Sequence, residues 1–239
     1  MGECWGEGTA TFMILGNTCT RSCGFCNVKT GRPDEVDWKE PIKVAKSIQI
    51  MGIKHAVVTS VDRDDLKDNG SILWRETIIA IRRLNPGTTL ETLIPDFKGD
   101  ETSLDRIIDV EPEVISHNLE TVRRLTKEVR IQAKYDRSLT VLKYLKDKGV
   151  KRTKSGIMLG LGEQKEEVIE SLEDLREVGV DVLTIGQYLQ PSKKHLPVKS
   201  FIEPRVFDDY KKIGETLGFR HVESGPLVRS SYKAQKHIT

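Results

Sequence analysis

Four cysteines are the residues of this sequence whose type and spacing most directly indicate chemistry. Cys4, Cys19, Cys23 and Cys26 all lie within the first 26 residues of a chain of 239. The last three form a C-x3-C-x2-C motif in a loop that follows the first predicted strand. Three thiolates at this spacing can hold one face of a metal centre, and thiolates are the usual ligands of iron–sulfur clusters.

A structural zinc site is the alternative interpretation of the same motif. Zinc in such a site requires a fourth ligand, and the nearest histidine, His55, lies beyond the first predicted helix. A 4Fe–4S cube held by three cysteines leaves one iron open, and an open iron can bind and activate a small molecule. The spacing therefore favours a cluster in which Cys19, Cys23 and Cys26 are both metal ligands and catalytic residues.

Short apolar strands alternate with helices along the rest of the chain and must position this loop. The pattern predicts strands at residues 9–15, 55–60, 89–94, 114–118, 153–159 and 182–187. It predicts helices at residues 41–51, 72–84, 103–109, 138–148, 165–178 and 205–217. This alternation implies parallel strands joined by right-handed crossovers. Six such units fit either an open doubly wound sheet or a barrel of fewer than eight strands. Polar and glycine-rich residues follow nearly every strand, which favours the barrel, because catalytic groups collect on that face.

Composition excludes several classes of protein. Lysine and arginine number 38 against 36 acidic residues, so the net charge of +2 gives no electrostatic reason to expect a nucleic-acid partner. The longest near-apolar stretch, at residues 10–15, is too short to cross a membrane. Nothing at the N-terminus resembles a signal peptide. We therefore expect a cytoplasmic protein with neither a nucleic-acid nor a membrane partner.

The cysteine motif, with Phe25 before its last cysteine, resembles the radical S-adenosylmethionine (SAM) superfamily. The resemblance implies an α/β fold, a partial (β/α)6 TIM-type barrel, with a 4Fe–4S cluster whose open iron binds SAM. It also implies that one electron cleaves SAM to a 5′-deoxyadenosyl radical. That radical abstracts hydrogen from unactivated carbon.

Longer blocks narrow the resemblance to the lipoyl synthase family. They cover residues 8–21, 59–66, 116–122, 154–163, 186–191 and 225–232, and the most specific are Gln187-Tyr-Leu-Gln-Pro191 and Arg229-Ser-Ser-Tyr232. The resemblance implies insertion of two sulfur atoms at C6 and C8 of an octanoyl-lysine, with two SAM molecules consumed. It implies carrier partners such as 2-oxo acid dehydrogenase E2 subunits and the glycine cleavage H protein. It also implies an electron donor such as ferredoxin or flavodoxin.

The resemblance assigns SAM contacts to Phe25 and to six polar residues: Thr59, Ser60, Asn118, Glu120, Arg137 and Ser138. Thr59 and Ser60 end a predicted strand and would bind the amino group of SAM. Asn118 and Glu120 would bind its ribose hydroxyls, and the last two, which are expected to begin a helix, would bind its carboxylate. For each of these residues the alternative is an ordinary turn or helix cap.

A second, auxiliary cluster belongs to the same resemblance and supplies the sulfur. In the family it is held by an N-terminal C-x4-C-x5-C motif and a serine, to which Cys4 and Ser231 correspond. The other two cysteines would precede residue 1, so we expect either a missing segment or a relative without a sulfur donor. We accordingly divide the chain into an N-terminal remnant with the first strand (1–18), the barrel (9–222) and a tail (223–239).

Two rival functions follow from these observations. One is a different radical SAM reaction, and the other is a non-catalytic relative that binds carrier domains. Two charged runs are assigned no chemistry. Residues 62–65 are expected to form a salt-bridged turn, and the basic residues at 123–127 a solvated face or, less favoured, a surface for an acidic carrier.

Overall fold

A computed structural model of the chain describes residues 6–238. This part of the chain divides into two compact units. Unit one comprises residues 6–21, 28–116 and 233–238, and unit two comprises residues 22–27 and 117–232. Of the cysteines in the motif, Cys19 belongs to unit one, and Cys23 and Cys26 belong to unit two.

Unit one is a parallel sheet with helices in its connections. Its strands are β1 (Thr9–Ile14), β2 (Thr18–Cys19), β3 (Lys29–Thr30), β4 (His55–Ser60), β5 (Thr89–Leu93) and β6 (Val114–Ser116). Its helices are α1 (Glu40–Met51), α2 (Ser71–Leu84) and α3 (Glu101–Ile108), and a 3-10 turn spans Ala234–Ile238. The sheet order is β1-β4-β5-β6, and β2 pairs only with β3.

The apolar run of β4 makes this sheet the core of unit one. Ala56, Val57 and Val58 are buried completely or nearly so, and so are Trp74 and Ile78 of α2. Strands buried on both faces are typical of parallel sheets covered by helices. Because the strands run parallel, the loops that follow β1 and β4 leave the sheet at the same edge.

Unit two is a second run of parallel strands and helices. Its strands are β7 (Thr153–Leu159), β8 (Val182–Gln187) and β9 (His221–Gly225), paired in that order. Its helices are α4 (Thr126–Val129), α5 (Tyr135–Asp147), α6 (Lys165–Glu177) and α7 (Pro204–Leu217), and a 3-10 turn spans Arg123–Leu125. One buried apolar cluster joins the strands to these helices, and Phe25 packs against it.

Local sequence signals explain the helix boundaries of unit two. The side chains of Gln164 and Glu167 form a reciprocal capping box at the start of α6. Pro204 begins α7, and Gly218 ends it in the left-handed conformation at a φ of 89°.

The parallel α/β fold expected from the sequence is confirmed, with all six predicted strands present. The short strands β2 and β3 and the one-turn helix α4 were not predicted, and two further details of the prediction are wrong. A seventh parallel strand, β9, was missed because only Val222 of its five residues is buried, so it shows no apolar run. Helix α5 begins at Tyr135, three residues before the predicted start at Ser138, because the buried Tyr135 side chain anchors its first turn. Between residues 6 and 238, no helix combines the length and apolarity needed to cross a membrane.

Candidate active site

Cys19 lies at the end of β2, where two backbone donors point at its sulfur. The N–H groups of Arg21 and Asp62 lie 3.4 and 3.3 Å from Cys19 Sγ. Donors directed at a sulfur stabilise negative charge on it, as a metal-binding thiolate requires. The Thr20 hydroxyl ties the same loop to the chain after β4, donating to the Asp62 carbonyl at 2.9 Å. The loop that carries Cys19 is therefore held against residues 62–64.

The Arg21 side chain anchors this arrangement. It is only 5% exposed and donates to both carboxylate oxygens of Asp64, at 2.7 and 2.9 Å, and to Asp96 at 2.7 Å. Burial opposes its charge, but the hydrogen bonds that it donates to Asp64 and Asp96 raise the pKa of Arg21 above its usual value. Two effects oppose each other at Asp64: burial acts to raise the pKa of its carboxyl, and the hydrogen bond from Arg21 acts to lower it. The net result is a pKa below the usual value.

The charged run at residues 62–65 is thus a salt-bridged turn, as the sequence predicted. It is also part of the support of the cysteine loop, because Arg21 lies 3.3 Å from Asp62 as well. Sequence reasoning missed this role of Arg21. Its position inside the motif, between Cys19 and Cys23, was the only local signal.

The loop of Cys23 and Cys26 in unit two is held by the main chain. The Gly24 N–H donates to the Val129 carbonyl at 2.9 Å, and its carbonyl accepts from the Leu196 N–H at 3.0 Å. A Cβ at position 24 would lie 2.8 Å from the Leu196 side chain, so glycine is required for this close approach. Both cysteine side chains are partly exposed. Partial exposure on a fixed loop suits a ligand that must remain accessible.

A cavity of about 240 Å³ lies within unit two. Its walls are the C-terminal halves of β7 and β8 and the segment that follows β9, and two of its lining residues, Met158 and Gly186, pair in register across the two strands. The predicted contacts Phe25, Asn118 and Glu120 all line it. Residues that sequence reasoning did not assign to the site also line it: Gly156, Thr184, Gln187, Arg229 and Ser230.

Asn118 presents an unsatisfied acceptor in this cavity. Its side chain is 95% buried, and its amide donates to Glu120 Oε1 at 3.0 Å and to Ser230 Oγ at 3.1 Å. Within residues 6–238, Asn118 Oδ1 has no hydrogen-bond partner. A buried polar atom without a partner is costly, so it indicates a ligand donor such as a hydroxyl group.

Glu120 is held in an unfavourable backbone conformation beside it. Its φ of 65° is left-handed, which costs a non-glycine residue about 1–2 kcal/mol. The main chain enforces this conformation, because the Glu120 N–H donates to Gly156 and its carbonyl accepts from Met158, both at 2.9 Å. Burial raises the pKa of its carboxyl, against the opposing effects of Arg130 and Asn118. Such strain at a cavity wall is typical of a functional residue.

Gly156 allows the Thr184 side chain to approach the main chain closely at the cavity wall. A Cβ there would lie 2.4 Å from Thr184 Oγ1 and 3.2 Å from the unpartnered Asn118 Oδ1. A partly buried carboxyl group, an unsatisfied amide oxygen, an aromatic ring and a glycine-lined wall together fit a nucleoside with vicinal hydroxyls, such as the adenosyl part of SAM.

We expect Gly156→Ala to weaken SAM binding about tenfold, because the added methyl group overpacks the cavity wall by about 1–3 kcal/mol. Isothermal titration of the cluster-loaded protein with SAM measures this. Gly87→Ala is the matched control, because a Cβ there meets no atom within 4 Å. Equal SAM affinities in both variants would show that the cavity is not the SAM site.

The other predicted SAM contacts do not line the cavity. In unit one, the Thr59 hydroxyl donates to the Leu93 carbonyl at 3.3 Å, and Ser60 Oγ accepts from Trp74 at 3.1 Å. In unit two, Ser138 is fully buried and lies within 2.9 Å of His117 Nε2.

The corrected start of α5 explains this placement of Ser138. Arg137 and Ser138 are therefore the third and fourth residues of the helix, whereas the sequence predicted that they begin it. Arg137 is partly exposed. Ser231 is partly exposed beside the cavity residue Ser230, and Cys4 lies outside the described residues.

Comparison with known proteins decides the family. The model of the radical SAM superfamily matches residues 13–186. The lipoyl synthase of Christiangramia forsetii is 79% identical over 238 residues, covering 100% of this chain and 81% of its own. The mitochondrial lipoyl synthase of Nematostella vectensis is 75% identical, covering 100% of this chain and 82% of its own. The chain belongs to the lipoyl synthase family.

Solved structures share the radical SAM fold at much lower identity. Streptococcus suis SuiB bound to S-adenosylmethionine matches with a TM-score of 0.67 and 13% identity, covering 88% of this chain and 46% of SuiB. Methylornithine synthase matches with a TM-score of 0.65 and 14% identity, covering 93% of this chain and 75% of methylornithine synthase. The expected fold class is thereby confirmed, and the protein is a radical SAM enzyme of the lipoyl synthase family.

The residues present fit the cofactors of this family. The C-x3-C-x2-C thiols are the donor set that a SAM-binding 4Fe–4S cluster uses, and backbone donors already point at one of them. The unit-two cavity supplies an orphaned acceptor and a glycine-lined wall for a nucleoside. A 4Fe–4S cluster and SAM are the cofactors of this enzyme.

Proposed function

We propose that this chain acts as a lipoyl synthase, replacing one C–H bond at C6 and one at C8 of a protein-bound octanoyl-lysine by C–S bonds. The observation that carries the proposal is the 79% identity to a lipoyl synthase across the whole chain. The cysteine loop and the nucleoside-sized cavity support it independently of that identity.

The chain's own residues divide the work between two tasks. Cys19, Cys23 and Cys26 hold the cluster, and the donors on Cys19 together with Arg21 fix one of these ligands in place. Phe25, Asn118 and Glu120 bind and orient SAM from the cavity wall. When bound, the reduced cluster and SAM supply a carbon radical that removes hydrogen from an unactivated carbon. The protein's contribution is orientation and the exclusion of competing reactions.

A second cluster, which supplies the sulfur, is part of the proposal. Cys4 and Ser231 are the residues of this sequence that match its family motif. Arg229 supports that assignment, because its guanidinium donates to the carbonyls of Gln187 and Val228 at 3.2 and 3.0 Å. These bonds fix the Arg229–Tyr232 turn at the cavity wall, where Ser231 follows Ser230.

The proposed partners follow from the chemistry. The substrate is an octanoylated carrier domain of the kind found in 2-oxo acid dehydrogenase E2 subunits and the glycine cleavage H protein. Ferredoxin or flavodoxin supplies single electrons. We place the enzyme in the cytoplasm, because thiolate ligands need a reducing compartment.

The expected result is that the cluster-loaded chain, given a strong reductant, cleaves SAM to methionine and 5′-deoxyadenosine faster with an octanoylated carrier domain than with the same domain unacylated. Binding of the acyl chain beside SAM orients the reacting atoms and so promotes the productive reaction. Chromatography with mass detection of 5′-deoxyadenosine measures this. Equal rates with both carriers would favour a different radical SAM reaction.

A further inference from the structure

Residues 189–202 form a segment without helix or strand, and its first residue, Leu189, lines the unit-two cavity. Gln187, a cavity residue, ties it down: its amide donates to the Ser200 carbonyl at 3.1 Å, and its Oε1 accepts from the Ile202 N–H at 2.9 Å. Tyr188 donates to the Leu196 carbonyl at 2.7 Å. The segment is therefore held in one conformation despite its irregular backbone.

The base of the segment also contacts the cysteine loop of unit two. His195 Nε2 lies 3.1 Å from the Cys26 carbonyl, and His195 Nδ1 lies 2.9 Å from Ser192 Oγ. The Leu196 N–H donates to Gly24. One side of the segment thus packs on the catalytic machinery, and the exposed side chains of the same residues face outward.

Those exposed side chains are basic and apolar. Lys193, Lys194 and Lys199 are exposed, and within residues 6–238 none of them forms an ion pair. Residues 189–202 contain no aspartate or glutamate. Three positive charges therefore lie within seven residues of a segment that has no acidic residue of its own.

Large apolar side chains accompany these lysines. Leu189 is 46% exposed and Phe201 is 74% exposed, and both lie in the segment. Leu227, which is 77% exposed, precedes the cavity residue Val228. Exposed apolar groups concentrated around a cavity indicate an interaction surface.

The basic run at residues 123–127, which the sequence offered as another docking surface, has its two arginines already paired. Arg123 pairs with Asp136 and Asp174, and Arg124 pairs with Glu167. Of these two basic surfaces, the 189–202 segment therefore carries more unpaired charge within residues 6–238, three lysines against Lys127 alone.

We propose that residues 189–202, together with Leu227, form the surface on which the acylated carrier domain docks, its acidic side chains meeting Lys193, Lys194 and Lys199. This inference rests on the proposed function and adds where the carrier binds and which charge it presents. The exposed Phe201 and Leu227 contact the apolar surface of the carrier around its acylated lysine. The octanoyl chain of that lysine enters the cavity.

The test compares two triple variants with equal loss of charge. The first is Lys193→Gln, Lys194→Gln and Lys199→Gln. The matched control is Lys127→Gln, Lys151→Gln and Lys165→Gln, three exposed lysines of unit two outside the segment. Two probes are used with cluster-loaded protein: an octanoylated carrier domain with acidic residues flanking its lysine, and an uncharged octanoyl-lysine peptide. Fluorescence anisotropy measures both affinities at low and high salt.

We expect the first triple variant to bind the carrier about tenfold or more weakly at low salt, with the difference shrinking at high salt. Binding of the uncharged peptide is unchanged, which shows that the cavity is intact. Phe201→Ser weakens carrier binding at both salt concentrations, because the lost contact is apolar. The control triple variant binds the carrier like the unmodified chain.

Carrier affinity that is unchanged in the first triple variant, or equally reduced in the control, would overturn the docking surface while leaving the proposed function intact. Self-association of the chain that is lost in the same variant would assign the surface to a second copy and also overturn it. Failure of the unmodified chain to prefer either octanoylated probe over its unacylated form would instead overturn the proposed function.

Discussion

Replacing Cys19, Cys23 and Cys26 together by alanine is expected to abolish iron binding and reductive SAM cleavage. The three thiolates are the protein ligands of the cluster, and without them no group on this loop can replace their charge and softness. Anaerobic reconstitution followed by iron and sulfide analysis and by ultraviolet–visible absorbance measures the first loss. Formation of 5′-deoxyadenosine measures the second.

Ser22→Ala is the control for this substitution. Ser22 lies within the same loop, and its hydroxyl accepts a hydrogen bond from Gln132 at 3.2 Å, so it has a partner other than a cysteine. This variant is expected to keep its iron and its activity. Stoichiometric zinc in the unmodified protein, with no iron–sulfur absorbance, would overturn the assignment of the motif.

Arg21→Met is expected to destabilise the protein by about 3–5 kcal/mol, because it removes the cation that three carboxylates surround and with it the ion pair of the buried Asp96. The variant should also bind its cluster less firmly and show a shifted reduction potential, since the loop that holds the donors on Cys19 loses its anchor. Chemical denaturation measures the first effect. Potentiometry followed by electron paramagnetic resonance measures the second.

Arg63→Met separates the two effects. Arg63 is similarly buried, at 4% exposed, but its bonds go to Asp65 and to the Asp34 carbonyl. We expect this variant to lose stability while keeping the cluster potential of the unmodified protein. Identical cluster reduction potentials in the Arg21 and Arg63 variants would mean that Arg21 stabilises the fold but does not affect the cluster.

The same ion pairs predict how stability depends on pH. The pKa of Asp64 is lowered in the folded state, so its contribution is fully present above its usual pKa of 3.8. That contribution is lost as the pH falls through the lower folded value. Arg21→Met removes the cause of the shift, so the variant should lose less stability than the unmodified protein over this acidic range.

The fold was predictable wherever burial leaves a local pattern. The β4 strand, His55–Ser60, is an apolar run buried on both faces, and the capping signals at α6 and α7 lie within a few residues of each boundary. Strand β9 was not predictable because only one of its residues is buried. The start of α5 was missed because its anchor, Tyr135, precedes the periodic part of the helix.

The site was predictable only where its chemistry is local in sequence. The cysteine motif fits within eight residues, and Asn118 and Glu120 are two residues apart. The partners of Arg21, in contrast, lie 43 and 75 residues away, and Ser230 lies 112 residues from Asn118. No periodicity or spacing encodes such pairs, because the fold alone brings them together. The sequence predicted that a helix begins at Ser138, and the structure places its first residue at Tyr135, three residues earlier.

The most direct test of the central claim is the fate of deuterium from a fully deuterated octanoyl-lysine carrier incubated with the cluster-loaded chain, SAM and reductant. Because the proposed radical removes hydrogen from the octanoyl chain itself, mass spectrometry should find deuterium in the 5′-deoxyadenosine product. Carriers labelled only at C6 or only at C8 should each transfer it. 5′-Deoxyadenosine formed without deuterium from the labelled octanoyl chain would contradict the assignment of this protein to lipoyl synthesis.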